Sequence, residues 1–221
     1  MILGIETSTP RASLALYNRD ADKVLWSRDF TTERAHNAVI FEPVSEILEQ
    51  YRDQLTGILV GVGPGSYSGV RVGIAVSNGL GLALGLPTKG RSSLEAWDVS
   101  EDTYAVISDA RRKSYAVAEV IDRRVKGEPE LVDAEGLKAK LSELASSGVP
   151  RYSADAKVVE AFGGVSLAHP DAVQIAKRSG GLSPDRWHKV PLEPHYLRAP
   201  YITSPKNRAQ GMMRPEGGGD S

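Results

Sequence analysis

The chain contains no cysteine, which removes disulfides, thiolate zinc sites and cysteine nucleophiles together. It carries almost no net charge. Lys and Arg number 27 and Asp and Glu 28, so no overall field draws nucleic acid, and any such contact needs a local patch or another subunit. Histidine is scarce, with only four residues. His36, His169, His188 and His195 form no pair one helical turn apart, and Ile40 stands where a partner of His36 would have to be. A metal centre needs converging ligands of that kind, so neither a metal nor another cofactor is expected. The longest apolar segment falls short of the roughly 20 residues of a membrane span. Residues Met1-Ile2-Leu3-Gly4-Ile5-Glu6 show no basic stretch followed by a cleavage site and read as a strand, so the expected location is cytoplasmic.

What is present is an ordinary globular composition: 221 residues, 41% hydrophobic and 25% charged. That length suits one large domain or two small ones and can bury a substantial core. The most distinctive stretch is Gly61-Val62-Gly63-Pro64-Gly65-Ser66-Tyr67-Ser68-Gly69-Val70-Arg71-Val72-Gly73. A short apolar strand, Ile58 to Val62, enters a glycine-proline turn and then a helical segment from Val70 to Leu86. Gly73, Ser77, Gly81 and Gly85 recur every four residues and share one face, which is nearly bare backbone. Val72, Ile74, Val76, Leu80, Leu82 and Leu84 cover the others, and a helix apolar all round is buried all round.

Each glycine inside a helix costs about 1 kcal/mol relative to Ala. Counting Gly73, Gly79, Gly81 and Gly85, close packing has to offset roughly 4 kcal/mol. One face can pack on the chain's own sheet, and a second chain is the simplest neighbour for the other. A helix sealed within its own core is the plainer alternative. On the docking reading, helices at about 37–54 and 70–86 form the partner-binding surface, with Ile40, Val44, Val70, Ile74, Ser77, Gly81 and Leu82 as contacts. Gly81→Leu is then expected to block pairing and leave the fold intact.

The remaining pattern is α/β. Ile2 to Glu6, Ala12 to Leu16 and Val24 to Phe30 read as three antiparallel strands. His36 to Gln54 reads as a helix with a stripe of Ile40, Val44, Ile47, Leu48 and Tyr51, and Pro43 bends its first turns or marks its start. Thr88 to Arg91 is a short strand. Ser92 and Glu95 have capping-box spacing, which predicts a short helix through Val99. Near Asp102 the plan begins again: strand Tyr104 to Ser108, charged turn Asp109-Ala110-Arg111-Arg112-Lys113, strand Ser114 to Ile121. This hints at duplication. Asp133 to Ser146 is an amphipathic helix, Tyr152 and Ser153 end a short strand, and Ala156 to Phe162 and Asp171 to Arg178 are further helices. Pro191 to Pro200 is extended, and the polar stretch after Ser204 is expected to be disordered.

The chemical motifs are weak. The loop at 63–69 precedes a helix and could cradle a phosphate, but no Lys follows in Walker A spacing, and Ser66 stands where a dinucleotide fingerprint needs its third glycine. Tyr67 occupies the nucleophile position of an elbow-like GxSxG frame. A structural turn is the favoured reading. Glu6, Thr7 and Ser8 end the first strand in an acidic, hydroxyl-rich turn that could hold a metal-bound phosphate, although such turns are ordinary. Asp109 to Lys113 reads as a solvated hairpin tip.

Several of these residues resemble the TsaB (YeaZ) family of the Gcp/M22 glycoprotease-like group. They are the Ile-Glu-Thr-Ser-Thr start, the lone His36 before the first helix, and the Gly63–Gly73 motif. Asp109-Ala110-Arg111 with Tyr115 and the late Glu193-Pro194-His195-Tyr196-Leu197-Arg198 add to the match, which spans residues 1–200. Glu6 replaces the usual Asp, Tyr67 and Ser68 replace Phe and Thr, and Val70 replaces Leu. The resemblance implies an actin-like ATPase (ASKHA) fold of two α/β lobes with mixed sheets: an N-terminal lobe over 1–100 with the partner-binding helices, a C-terminal lobe over 101–204, and a tail over 205–221. It also implies a non-catalytic subunit of the machinery that installs threonylcarbamoyl on tRNA adenosine. Its partners would be TsaD, which carries the catalytic metal and nucleotide, and the ATPase TsaE, with tRNA reached only through the complex. The same helical surface would self-associate when TsaD is absent. Glu6, Thr7 and Ser8 would be vestiges of a nucleotide site. The competing expectations are an actin-like phosphotransferase or ATPase acting on its own, with Glu6, Thr7 and Ser8 in use, and a peptidase, for which no Ser–His–Asp set is in place.

Overall fold

The structure is a computed structural model that describes residues 1–31, 39–178 and 191–196. The first sheet has strands β1 (Ile2–Glu6), β2 (Arg11–Asn18), β3 (Lys23–Thr31), β4 (Gly57–Gly61) and β5 (Thr88–Arg91), in the order β3-β2-β1-β4-β5. β1, β2 and β3 are antiparallel neighbours, whereas β1, β4 and β5 run parallel. Every residue of β1 and β4 is buried. That explains their unbroken apolar runs: strands covered on both faces have no polar side to alternate with. The edge strand β3 carries the exposed residues.

The second sheet has β6 (Tyr104–Asp109), β7 (Tyr115–Ile121), β8 (Arg124–Val125), β9 (Glu130–Val132), β10 (Arg151–Ser153) and β11 (Ser166–Leu167). Its order is β11-β10-β6-β7-β8, with β9 also on β7. The helices are α1 (Phe41–Tyr51), α2 (Tyr67–Leu84), α3 (Ala134–Ser146), α4 (Ala156–Ala161) and α5 (Ala172–Lys177). Each sheet centres on one strand, β1 or β6, with an antiparallel neighbour on one side and a parallel neighbour on the other. In each, a helix precedes and follows that parallel neighbour. The duplication hinted at by the strand–turn–strand repeat is therefore a repeat of topology. Two mixed-sheet α/β lobes of this plan constitute the actin-like arrangement.

The two halves of the sequence do not map simply onto the two lobes. α5 returns to the first sheet, where Gly4 of β1 lies directly under the Ala172 carbonyl, with room for no Cβ. The Ala172 amide donates to Ser13 Oγ (2.8 Å). The segment 191–196 also comes back: the His195 amide donates to the Val62 carbonyl (2.8 Å) and the Leu192 amide to Asn78 Oδ1 (3.2 Å). The stretch 101–204 thus supplies layers to both lobes. His36, His188, Arg198 and the tail 205–221 lie outside the described residues.

Local signals explain where the remaining expectations shift. α2 starts at Tyr67, three residues early, because Ser66 Oγ accepts from the Gly69 amide (3.3 Å), an N-cap that satisfies an otherwise orphaned donor. It ends at Gly85, whose φ of 65° makes it a left-handed C-cap and not an interior glycine. Pro43 sits in the first turn of α1, where its missing N–H is harmless. The helix expected from Ser92 shrinks to one 3-10 turn, Ser93–Glu95, and the Ser92 side chain makes no cap bond. The two- and three-residue strands β8, β9 and β11 are too short to leave a periodic signal.

Candidate functional site

α2 decides the site. Its small-residue face points inward. Gly69 and Gly73 lie against Thr7, and a Cβ at Gly81 would stand 2.5 Å from Thr88 Cγ2 and 3.1 Å from the Leu86 carbonyl. Bare backbone lets the helix sit close on β1 and β4, so the chain's own sheet offsets the glycine cost at these positions. Val70 and Ile74 flank this face and, with Ile40 and Val44, belong to the buried core around Leu3, Ile5, Leu14 and Val60. Six of the seven residues expected to meet a partner are therefore turned inward: Ile40, Val44, Val70, Ile74, Ser77 and Gly81 are buried within the chain. The physical reason is that a face of small residues matches the flat surface of a sheet, and this chain provides one. Gly81→Leu is accordingly expected to strain the monomer, against the expectation that it would leave the fold intact. Leu82 is the exception, at 88% exposed.

The outward face of α2 is Ser68, Arg71, Ala75, Gly79 and Leu82, all exposed and spaced along one helical stripe. Between Arg71 and Lys89 the chain has no charged residue, which is unusual for a solvent-facing helix side. Nothing among the described residues lies within 4 Å of a Cβ built on Gly79, so no packing seen there accounts for a glycine at this position. Beside this face, an open groove of about 430 Å³ runs between Leu48 and Arg52 on one side and Leu80, Ala83 and Leu84 on the other. Phe41, at the start of α1, is 59% exposed. At the other end of α2, Tyr67 stacks on Tyr196 (ring centroids 5.3 Å apart) and its hydroxyl accepts from Arg71 Nη1 (2.8 Å). The sequence reading missed this contact with the returning segment, because no local pattern announces a neighbour 129 residues away.

The turn after β1 serves the loop before α2. The Ser66 amide donates to the Ser8 carbonyl (2.7 Å), and Thr7 Oγ1 donates to the Gly69 carbonyl (2.8 Å). The Ser93 amide donates to the Gly63 carbonyl (2.9 Å), and the Gly63 amide donates back to Ser93 Oγ (3.2 Å). The loop amides of Gly63, Ser66 and Gly69 are thus committed to the chain itself, which favours the structural reading of the glycine motif.

Glu6, Thr7 and Ser8 are buried, Glu6 completely. The Ser8 amide donates to Glu6 Oε1 (2.6 Å), and Oε2 has no partner. Burial pushes the Glu6 carboxyl above its ordinary value, partly opposed by hydrogen bonding from Ser8. A carboxylate with no solvent face cannot reach a metal-bound phosphate. The three residues instead act as a brace between β1 and the glycine loop. Among the described residues, no group of three or more His, Asp or Glu side chains is placed to hold a metal ion, and no helix is long and apolar enough to cross a membrane. The hairpin tip at Arg111, Arg112 and Lys113 is exposed, with all three residues at positive φ.

A family model described as "TsaD: tRNA N6-adenosine threonylcarbamoyltransferase" matches residues 30–162, more than half of the chain. The uncharacterized protein Rv3421c of Mycobacterium tuberculosis is 30% identical over 206 residues, covering 90% of this chain and 92% of that one. The Escherichia coli tRNA threonylcarbamoyladenosine biosynthesis protein TsaB is 38% identical over 96 residues, 42% of this chain and 40% of its own. A crystal structure from Pseudomonas aeruginosa, of an uncharacterized protein with similarity to peptidase YEAZ, superposes with a TM-score of 0.67 at 22% identity. It covers 89% of this chain and 99% of that one, and shows the same fold. On the family match and the curated relatives together, the chain belongs to the TsaB (YeaZ) family of tRNA threonylcarbamoyladenosine biosynthesis proteins.

Proposed function

We propose that the chain is a cytoplasmic, non-catalytic subunit of the complex that forms threonylcarbamoyladenosine on tRNA. It pairs with the catalytic TsaD subunit, and through that pair with TsaE, by the outward face of α2 and the adjoining groove of α1. One observation carries the reading: Ala75, Gly79 and Leu82 form an exposed, uncharged stripe in which the glycine meets no packing among the described residues. A glycine on a helix surface lets a second helix approach closely, and a fully exposed leucine gains about 1.5–3 kcal/mol when covered. Self-association through the same stripe is the expected behaviour of the chain without TsaD.

The test is co-expression with a TsaD homologue, followed by mass measurement of the eluting complex. Wild type is expected to elute as a heteromer. Leu82→Asp is expected to elute alone while melting within a few degrees of wild type, because the residue touches little of its own chain. Normal complex formation by Leu82→Asp would defeat the assignment of this face.

A further inference from the structure

A second open cavity, of about 410 Å³, lies where α5 meets β5 and the β7–β8 turn. Its wall is polar throughout and strongly basic. Arg91 comes from β5, Arg123 and Arg124 from the β7–β8 corner, and Lys177 and Arg178 from the end of α5. Glu95, Asp102 and Asp122 share the wall, but two of the three are engaged. Asp102 accepts from Arg123 (2.8 Å), which also donates to the Trp97 and Val99 carbonyls. Glu95 Oε1 accepts from the Val125 amide (3.3 Å).

Cations nevertheless outnumber carboxylates in the wall, five to three. Arg91 spends one Nη donor on the Arg178 carbonyl (2.8 Å), and among the described residues neither its buried Nε nor that of Arg178 has a partner. Burial pulls both guanidinium groups below their ordinary value; the Glu95 carboxylate opposes this at both, and the positive charges of Arg124 and Arg123 respectively add to it. Lys177 and Arg178 are accounted for by the negative end of α5. Arg91 and Arg124 are not, since they come from β5 and β8. An oxyanion held in the cleft offsets this excess of positive charge. Planar guanidinium forks match phosphate oxygens in particular. No aromatic or aliphatic side chain lines the cavity, so it offers a nucleobase no aromatic platform. It offers charge alone, which is what a sugar-phosphate backbone requires.

We propose that this cleft binds the phosphodiester backbone of RNA. The site is separate from the α2 face, and its choice of RNA over other polyanions rests on the proposed role in tRNA modification. The test uses the isolated full-length chain and a fluorescein-labelled tRNA anticodon stem-loop, read by anisotropy across a salt series. Arg124→Ser with Lys177→Ser is expected to weaken binding on the order of tenfold or more, the loss for two charged contacts. The slope of log affinity against log salt should fall by about two, one per lost phosphate contact. A charge-matched control, Lys138→Ser with Lys157→Ser on α3 and α4, should bind as wild type does. Absence of RNA binding by wild type, equal loss in both double variants, or calorimetric binding of ADP in place of RNA would each overturn the proposal. Co-elution of the Arg124/Lys177 variant with TsaD, scored separately, keeps this result distinct from the fate of the α2 surface.

Discussion

Gly79 and Gly81 stand two residues apart on one helix, and the structure gives them opposite roles. A Cβ at Gly79 meets nothing, so Gly79→Ala removes a backbone penalty and adds no clash. It should stabilise the chain by about 1 kcal/mol, a rise in melting temperature of about 2–4 °C for a chain of this size. Gly79→Leu should melt close to the Ala variant, since the two residues differ little in helix propensity. Both should pair less well with TsaD, and Leu far less, because the added side chain stands where a partner backbone has to approach. At Gly81 the added Cβ meets Thr88 Cγ2 at 2.5 Å and the Leu86 carbonyl at 3.1 Å. Thr88 opens β5 and Leu86 is fixed by the hydrogen bond its amide donates to the Gly81 carbonyl, so neither yields without moving the chain around it. Gly81→Leu should therefore destabilise by at least the 1–3 kcal/mol typical of overpacking. The assays are thermal unfolding by circular dichroism and surface plasmon resonance against immobilised TsaD. Wild-type affinity in Gly79→Leu would refute the docking of this face. A wild-type melting temperature in Gly81→Leu would refute the inward direction of the small face.

Two further predictions concern the brace and the returning helix. Glu6 has its folded-state carboxyl raised by burial, so the protonated form is favoured on folding. Its contribution to stability is greatest below the ordinary carboxylate value and is lost as pH rises through the folded value. Glu6→Gln should flatten that part of the pH dependence and lose least, or gain, near neutral pH, as read from urea unfolding at stepped pH. An unchanged wild-type slope in the variant would show that Glu6 is not the titrating group. Gly4→Ala places a methyl against the Ala172 carbonyl and should cost about 1–3 kcal/mol by lifting α5 from the sheet. Hydrogen exchange should localise that loss to α5, and a uniform loss across the first sheet would contradict this account.

Much of the architecture was legible in the residues because it is written in local period. The unbroken runs of β1 and β4, the alternation of β2 and the stripe of α1 are nearest-neighbour features. Glycines every four residues likewise announced that something must approach α2 closely. The sequence by itself determined that demand, together with the absence of any thiol chemistry and the twofold rhythm of strand, turn and strand. It could not determine direction. Which face of α2 meets the sheet depends on β1 and β4, brought beneath it by parallel pairing across more than fifty residues, and that pairing turned Ile74, Ser77 and Gly81 inward and left Gly79 and Leu82 outside. The basic cleft has the same origin. Arg91, Arg124 and Arg178 are scattered along the chain and converge only because α5 folds back onto the first sheet. Spacing along a chain fixes which residues share a surface, whereas the partner of that surface is chosen by long-range contacts, which leave no periodic trace.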